Sequence, residues 1–368
     1  MSITILIAII SIVGLLVIHE FGHFVVAKKF GLKIEEFGIG YPPRLFGKKI
    51  GETLYSFNLL PFGAFVKIPG EGGEKSNLED FQQFSGRPIW QRSLIILGGV
   101  VSFWIIAAIL LSIVFGIGVP TAVSDDESGF LTNPKIQILA VASESPAEKA
   151  GIRAGDTIRK FQIPNSEFQT EITKVSEVQE LTEKYKGKEV ILTIERGKEI
   201  FDVSLTPRLS PPEGEGAMGV TLVRTALITY PWYKSPIKGI EATINLTGAV
   251  IQGWGEILGS LIRGEGLPKG AQLMGPVGVT VLIGQVAQIG INYFLQFIAI
   301  IAIYLAILNI LPIPALDGGK LLFLGIEKIK GRPLNPKIEQ NITTVFFVLL
   351  IILMVVITIK DISRIFKP

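Results

Sequence analysis

The apolar residues of this 368-residue chain are concentrated in long unbroken runs, and polar residues alternate with apolar ones between the runs. Four runs are long enough to cross a bilayer as a helix, which takes about 20 apolar residues. Their continuous apolar character favours membrane-spanning helices over the strands of a soluble domain. The four runs cover residues 3–27, 93–119, 291–311 and 343–359.

Residues 53–68, between the first two runs, show the alternation that is typical of a β-hairpin. The sequence Pro61-Phe62-Gly63 predicts the turn, and residues 64–68 predict the returning strand. The flanking residues are apolar, and irregular backbone is tolerated at membrane depth where protein or a water-filled cavity surrounds it. We therefore expect a membrane-associated hairpin.

Residues 125–222 have a different character, because charged residues become frequent and the pattern indicates short strands and turns. Ser145-Pro146 predicts the start of a short helix, Gly151 predicts its end, and Gly155-Asp156 predicts a turn. A segment of this length suffices for one small α+β domain.

Residues 223–290 follow this domain and contain an amphipathic helix. Apolar positions recur near helical spacing from Ile237 to Ile262, and residues such as Lys238 and Glu241 occupy the other face. We expect this helix to lie at the outer membrane surface, and a helix of the soluble domain is the alternative.

Composition supports a membrane protein, because 48% of the residues are hydrophobic and the mean hydropathy is +0.50. The predicted fold is a polytopic α-helical membrane protein with about four transmembrane helices, a membrane-associated β-hairpin and one extracytoplasmic α+β domain. Its parts are an N-terminal membrane core (1–124), the α+β domain (125–222), a connecting segment with the amphipathic helix (223–290) and a C-terminal membrane core (291–368). The absence of cysteine excludes disulfides and thiolate metal sites, and the net charge of +3 is too small to indicate nucleic-acid binding.

The orientation follows from the lysines and arginines of the short loops, which favour the cytoplasm. Ten such residues lie between Lys28 and Arg92, and five lie between Lys320 and Lys337. These two loops are therefore predicted to be cytoplasmic, and residues 125–222 are predicted to lie outside. The basic residues at the C-terminus weigh against this orientation.

The only two histidines of the chain are His19 and His23, inside the first apolar run, with Glu20 between them. A helix turns once per 3.6 residues, so both imidazoles project from one face and can share a metal ion. Glu20 projects beside them, where it can act as a general base on a metal-bound water. This HExxH arrangement is that of zinc hydrolases. A third protein ligand must be Asp or Glu, because no histidine or cysteine is left.

Asp317 is the candidate for the third ligand. Acidic side chains in apolar segments cost about 2.5–3.5 kcal/mol on insertion scales and are therefore usually functional. His23 is five residues from Lys28 and Asp317 is three residues from Lys320, which places both within about 10 Å of the cytoplasmic boundary. The alternative is that Asp317 caps a following helix, because Asp-Gly-Gly is a turn signal.

The motifs together resemble the site-2 protease family of intramembrane zinc metalloproteases, and within it the RseP-like bacterial branch. The resemblance covers nearly the whole chain, and its motifs are "HEFGH" (19–23), "FGIGYPPRLF" (37–46), "NLLPFGAFVKIPGE" (58–71), "GPVGV" (275–279) and "NILPIPALDGG" (309–319). It implies that His19, His23 and Asp317 bind zinc and that Glu20 is catalytic. It also implies that Asn309 contacts the substrate or supports the developing oxyanion, and a helix–helix hydrogen bond is the alternative.

The resemblance extends to the α+β domain, which is similar to a circularly permuted PDZ domain. The sequence "SPAEKAGIRAGDTI" fits the segment that ends in the Gly-Asp turn, and "GAMGV" (216–220) is the candidate for the peptide-binding loop. Many relatives carry two such domains, and the length here allows one. Any function that requires a second domain is therefore not expected.

The hairpin suggests how a substrate is held, because an unwound transmembrane segment needs new backbone partners. An edge strand that contains Phe65 and Val66 pairs with an extended peptide through main-chain bonds, largely regardless of its sequence. The alternative is that the hairpin plugs the membrane core.

We therefore predict a zinc endopeptidase of the bacterial cytoplasmic membrane that cuts transmembrane segments of single-pass proteins. By resemblance, the substrates are anti-sigma factors or remnant signal peptides that were already cut outside. Its partners are these segments and the lipid bilayer, with no nucleic acid. A first alternative is a non-proteolytic PDZ scaffold with a structural zinc site, but such a site normally has four protein ligands and no unpaired base beside it. A second is a zinc transporter, which would need further buried acidic or histidine residues along the spans.

Overall fold

The computed structural model describes residues 2–71, 81–126, 132–164, 166, 168–197, 199–212, 215–266 and 274–366. The helices are α1 (Ser2–Lys29), α2 (Ile89–Ile117), α3 (Pro146–Lys149), α4 (Val175–Lys184), α5 (Ser235–Ile262), α6 (Pro276–Ile289), α7 (Ile291–Ile310), α8 (Asp317–Lys330) and α9 (Pro336–Phe366). The strands are β1 (Glu36–Ile50), β2 (Thr53–Lys67), β3 (Val119–Ala122), β4 (Thr132–Val141), β5 (Thr157–Gln162), β6 (Gln169–Glu171), β7 (Val190–Arg196), β8 (Glu199–Leu205) and β9 (Val220–Ile228).

Four helices of the described chain, α1, α2, α7 and α9, are long and apolar enough to cross a membrane. They correspond to the four predicted runs, and this part of the prediction is confirmed. Helix α9 extends seven residues beyond its apolar run at each end, whereas α2 and α7 end one or two residues before the ends of theirs.

The chain divides into two compact units. The first comprises the described parts of Met1–Ser112, Pro236–Gln285 and Phe297–Pro368 and contains most of the apolar helices. The second comprises Ile113–Ser235 and Val286–Gln296. The second unit therefore extends past both ends of the segment 125–222 that sequence assigned to the α+β domain.

Helices α1 and α2 approach each other at backbone contact distance in the first unit. A Cβ atom placed on Gly22 would lie 2.2 Å from the carbonyl oxygen of Gly98, and one on Gly99 would lie 2.2 Å from Nε2 of His23. Such close contacts accept only glycine, and small residues commonly line helix interfaces in membranes. These glycines therefore hold the histidine face of α1 against α2.

The β-region is larger than the predicted hairpin. Strands β1 and β2 pair around a further turn at Gly51 and Glu52, where Gly51 has φ +63°. The register gives residues 36–39 two neighbours, namely residues 54–57 on one side and residues 64–67 on the other. Within the described residues, 64–67 pair on one side only and form an edge segment. The chain reverses direction between residues 57 and 64, where the turn at 61–63 was predicted, but residues 36–39 lie between the two predicted strands, which therefore do not pair with each other.

Helix α5 does not lie apart as a surface helix, because its first half packs along α2. A Cβ atom on Gly239 would lie 2.2 Å from Oγ of Ser112, and a groove further along is lined by Trp104 and Ala108 of α2 with Thr243 and Thr247 of α5. As the numbers rise along α5 they fall along α2, so the two helices are antiparallel. The small and threonine side chains of this half therefore face a membrane-spanning helix, and the position of α5 relative to the membrane surface stays a prediction.

Helix α9 is tied to the start of α6 by a buried carboxylate. Oδ2 of Asp361 accepts hydrogen bonds of 2.8 Å from the backbone N–H groups of Gly275 and Gly278. Cβ atoms at these two glycines would lie 2.9 and 3.0 Å from the same oxygen. The "GPVGV" motif therefore provides bare backbone donors at a helix N-terminus, where a carboxylate is favoured.

The second unit is built on a seven-stranded sheet in the order β3-β9-β4-β5-β7-β8, with β6 paired to β5. Its apolar core includes Ile136, Ile158, Phe161 and Leu192, all at most 1% exposed. The predicted turns are present: Oγ of Ser145 caps α3, and Gly151 and Gly155 have φ +79° and +94°.

Ion pairs fix strands of this sheet to one another. Asp156 is buried, and both its carboxylate oxygens accept 2.7 Å hydrogen bonds from Arg196 of β7. Burial raises the pKa of the Glu195 carboxyl, but hydrogen bonds from Lys135 and Arg159 outweigh burial, and the net pKa is lowered. Glu195 therefore stays ionised and links β7 to β4 and β5.

Candidate metal centre

The two histidines and the aspartate of the predicted site converge in the first unit. His19 and His23 lie one turn apart on α1, and Asp317 is the first residue of α8. Oδ2 of Asp317 lies 3.2 Å from Nε2 of His19 and 3.3 Å from Nε2 of His23, and the two Nε2 atoms are 3.2 Å apart. All three residues are buried, with exposures of 7–8%. Among the described residues, these three are the one group of histidine, cysteine or acidic side chains whose ligand atoms lie close enough together to hold a metal ion.

The donor atoms fit a zinc ion. Ligands about 2.0–2.1 Å from a tetrahedral zinc ion lie about 3.3 Å from one another, which matches the three distances. Nδ1 of His23 lies 2.9 Å from the carbonyl oxygen of Ile95, so this nitrogen carries a proton and Nε2 of the neutral ring presents a lone pair. Among the described residues, the buried Oδ2 of Asp317 has no polar neighbour within hydrogen-bond distance except the two histidine Nε2 atoms. A cation bound between these three atoms satisfies all of them at once.

The surroundings of the histidines hold both rings in place. The hydrogen bond to Ile95 on α2 fixes the orientation of the His23 ring, a contact that metal-binding histidines usually make with their second nitrogen. The His19 ring stacks on Phe103 of α2, with 4.7 Å between the ring centroids. Helix α2 therefore orients both rings, although sequence singled out none of its residues.

Asp317 reaches the histidines because the chain breaks between α7 and α8. Helix α7 ends at Ile310, just before Pro312 and Pro314, as the prolines predict. Cβ atoms on Gly318 and Gly319 would lie 2.1 and 2.3 Å from backbone carbonyl oxygens of this break, so the Gly-Gly pair lets α8 start against it. Asp317 follows the N-cap residue Leu316 and directs its carboxylate to the histidines, so its role as a cap is not supported.

Glu20 lines a cavity of about 360 Å³ that also contains His23 and Asp317. The opposite wall is the edge segment of β2, which includes Phe65 and Val66. The structure thus brings the predicted catalytic residue, two of the three predicted metal ligands and the predicted edge strand to one cavity, and His19 lies beside them at 3.2 Å from both His23 and Asp317. It does not bring Asn309 there: this residue is half-buried on α7, and its side-chain amide donates to the carbonyl oxygen of Leu305 in the same helix, 2.9 Å away. The side-chain amide of Asn309 thus bonds within α7, not to another helix as the alternative prediction had it.

Two charged residues of the cavity were not identified as site residues from the sequence. Lys320, on α8, and Glu71, just after β2, line the same cavity and form an ion pair of 2.7 Å. Lys320 looked like an orientation signal at the end of a span, and Glu71 looked like a loop residue. Their places in the "LDGGK" and "IPGE" sequences, next to the two motifs, were the available signal.

Comparisons with known proteins agree with this centre. The model of Peptidase family M50 matches residues 7–353. A protein of Clostridium perfringens named as a zinc metalloprotease is 34% identical over 358 residues, which are 97% of this chain and 98% of the relative. The Bacillus subtilis protein named regulator of sigma-W protease RasP is 29% identical over an alignment 455 residues long, which covers all of both chains. The zinc metalloprotease RasP of Geobacillus kaustophilus is 28% identical over 98% of each chain.

The chain belongs to peptidase family M50, which confirms the resemblance found in the motifs. It is a multi-pass membrane protein and a zinc metalloprotease, and its cofactor is Zn²⁺. His19, His23 and Asp317 are the residues whose geometry fits the ion.

Proposed function

We propose that this protein is an intramembrane endopeptidase that cuts peptide bonds within transmembrane segments of single-pass membrane proteins. The observation that carries the proposal is the position of His19, Glu20 and His23 on a helix that is apolar and long enough to span a membrane, with Glu20 and His23 in a cavity that is walled by an edge segment. A protease for soluble chains has no need to place its ligands on a membrane-spanning helix, where polar groups are costly.

Glu20 is the general base and acid of the proposed reaction. Bound zinc supplies a water of pKa near 7 and polarises the scissile carbonyl. Glu20 lines the cavity beside His23 and Asp317, accepts the proton of the attacking water and passes it to the leaving amine. His23 keeps its orientation throughout, because Ile95 holds the other ring nitrogen.

The edge segment of β2 holds the substrate in an extended form. A helix hides its peptide bonds in internal hydrogen bonds, so the segment must unwind before it is cut, and each backbone group left without a partner costs several kcal/mol. Residues 64–67 pair with β1 on one side only and face the cavity with Phe65 and Val66. Main-chain groups of residues 64–66 on the side away from β1 supply the partners. Asn309 contacts the substrate through its side-chain oxygen, since its amide nitrogen is bonded to Leu305.

The substrates are anti-sigma factors or remnant signal peptides that were first cut outside the membrane. This choice is supported by the name of the Bacillus subtilis relative, regulator of sigma-W protease RasP. The second unit is a PDZ-like domain, in which "GAMGV" (216–220) leads into β9 as the candidate peptide-binding loop. The alternative of a scaffold with structural zinc is less well supported, because Glu20 lies beside three ligands as a base that such a site does not need.

The test compares the wild-type protein with Glu20→Gln, each purified in lipid nanodiscs. A single-pass substrate that carries different labels at its two ends is added, and the fragments are identified by mass spectrometry. We expect the wild type to cut within the transmembrane segment, and Glu20→Gln to retain its zinc and lose at least about a hundredfold in rate, since general base catalysis contributes 10²–10⁴-fold. Cuts confined to the soluble parts of the substrate, or normal turnover by Glu20→Gln, would contradict the proposal.

A further inference from the structure

The ion pair of Lys320 and Glu71 joins two parts of the cavity that are far apart in sequence. Lys320 lies one turn after Asp317 on α8, and Glu71 lies four residues after the end of β2. Nζ of Lys320 is 2.7 Å from Oε1 of Glu71. The pair therefore links the helix that begins with the third metal ligand to the chain that leaves the edge segment.

The pair is part of the cavity wall rather than a surface contact. The side chains are 44% and 21% exposed, and both line the cavity that contains Glu20. Lys67, the other cation in the lining, is 2.8 Å from Glu35. Opposite charges attract more strongly in such a partly dehydrated space than in water. Glu71 is the more dehydrated partner, and solvent screens the pair on the Lys320 side, so the importance of the pair lies in the two segments it joins.

Both ends of the link are anchored to the backbone. On the Glu71 side, the N–H of Glu71 donates to the carbonyl oxygen of Ile68, and that of Phe84 donates to Pro69 at 2.8 Å. On the Lys320 side, the close contacts of Gly318 and Gly319 fix the start of α8. The ion pair thus connects two segments that are each held by their own backbone contacts.

We propose that Lys320 and Glu71 form a clasp that sets the distance between the edge segment and the metal ligands. A peptide paired with residues 64–67 then presents one carbonyl group to Glu20 and the metal, and without the clasp the same peptide lies too far away or out of register. Both are positioning residues, because they act through the edge segment and not on the reacting atoms. This inference rests on the proposed function.

The first test is a double-mutant cycle of Lys320→Met and Glu71→Gln, with cleavage of the two-label substrate and zinc content measured for each variant. A misplacement of about 1 Å can cost about a hundredfold in rate. We expect each single variant to lose tenfold to a hundredfold in kcat/KM and the double variant to lose no more than the worse single one, because both remove the same contact. Zinc content stays at the wild-type value. Lys320→Arg, which keeps the charge, restores most of the activity, and Lys330→Met, which removes an exposed lysine of the same helix, serves as the control.

The second test does not depend on turnover. The chain contains no cysteine, so Val66→Cys in a Glu20→Gln background gives a single thiol on the edge segment. Disulfide cross-linking to a substrate with one cysteine near the cut site measures how well the peptide docks. We expect Lys320→Met and Glu71→Gln to lower the yield several-fold, and Lys330→Met to leave it unchanged.

Three outcomes would overturn the clasp. Unchanged cleavage and cross-linking in both variants would show that the pair positions nothing. A loss confined to Lys320→Met would show that the lysine acts on the reacting groups by itself. A loss of zinc would show that the pair serves the metal ligands and not the edge segment. A wild-type protein that cuts no transmembrane segment would contradict the proposed function, while the cross-linking yields would still decide whether the clasp exists.

Discussion

At the scale of single residues, the metal centre depends on glycines, which have no side chain, as much as on the ligands themselves. Gly99 leaves room for the His23 ring, and Gly318 and Gly319 leave room for the chain break that brings Asp317 to the histidines. Any larger residue at these positions would push a ligand away by more than the ±0.2 Å that a metal site tolerates. The ligand set and its glycine frame therefore act together.

Asp317→Asn should lower the affinity for zinc by at least tenfold. A neutral amide is a poorer zinc ligand than a carboxylate, and even the loss of outer hydrogen-bond partners typically costs about 10–100-fold. The measurement is the zinc content of the purified variant after dialysis against a weak chelator, together with its cleavage rate. Asp126→Asn, at an exposed position of the second unit, is the matched control. Wild-type zinc content and activity in Asp317→Asn would remove Asp317 from the site.

Val66→Pro should reduce cleavage by about tenfold or more without loss of zinc or folding. The carbonyl oxygen of Lys67 accepts from Glu35 on the paired side, and successive residues of a strand alternate in direction. The N–H of Val66 therefore points to the free edge, where proline removes it. One missing bond in apolar surroundings costs several kcal/mol. The readouts are kcat/KM and thermal stability, and Val66→Ala, which keeps the N–H, is the control. Full activity of Val66→Pro would favour the hairpin as a plug.

At the scale of elements, the sequence predicts what depends on local composition and misses what depends on distant partners. The four spans follow from continuous apolar runs, and the end of α7 follows from its prolines. The antiparallel contact of α5 with α2 was missed because Gly239 and Thr243 are neutral in a hydrophobic pattern, although they form the contact face. The strand order of the hairpin was missed because residues 36–39, which lie outside the predicted hairpin, pair between its two predicted strands.

The candidate site follows the same division. Asp317 could be predicted because a lone charge in an apolar segment is costly enough to imply a function. The pairing of Lys320 with Glu71 joins residues 249 positions apart, and no local pattern reports it. Asp361 was missed for another reason: it follows the last apolar run directly and resembles a polar residue at the membrane boundary, yet it is 4% exposed.

Asp361→Ala should lower the thermal stability of the protein clearly. The change leaves the N–H groups of Gly275 and Gly278 without their partner, and each buried unsatisfied group costs about 1–3 kcal/mol. The measurement is thermal unfolding in one detergent, followed by intrinsic fluorescence. Asp361→Asn keeps one acceptor oxygen and should fall between the wild type and the alanine variant, and Ser363→Ala, at an exposed position of the same helix, should change little. A wild-type melting temperature for Asp361→Ala would show that the contact between α9 and α6 adds nothing to stability.

At the scale of the whole molecule, function depends on which side of the membrane each loop occupies. His23 and Asp317 lie close in sequence to Lys28 and Lys320, which belong to the two basic loops. If these loops are cytoplasmic, the metal centre lies near the cytoplasmic face and water reaches it from there. Residues 125–222 then meet the substrate's outer part. The orientation of the protein in the membrane thus decides whether residues 125–222 face the outer part or the cytoplasmic part of a substrate.

Single-cysteine labelling tests this orientation, since the chain has no cysteine of its own. Glu199→Cys places a thiol at an exposed position of β8, and Lys330→Cys places one at the exposed end of α8. The excess of Lys and Arg in the loops around residues 28–92 and 320–337 predicts that a membrane-impermeant maleimide labels Glu199→Cys in intact cells. Lys330→Cys should react only after the membrane is opened, and both should react fully in lysed cells. The reverse pattern would mean that the basic C-terminal residues, including Lys360, set the orientation, and it would place the metal centre near the outer face.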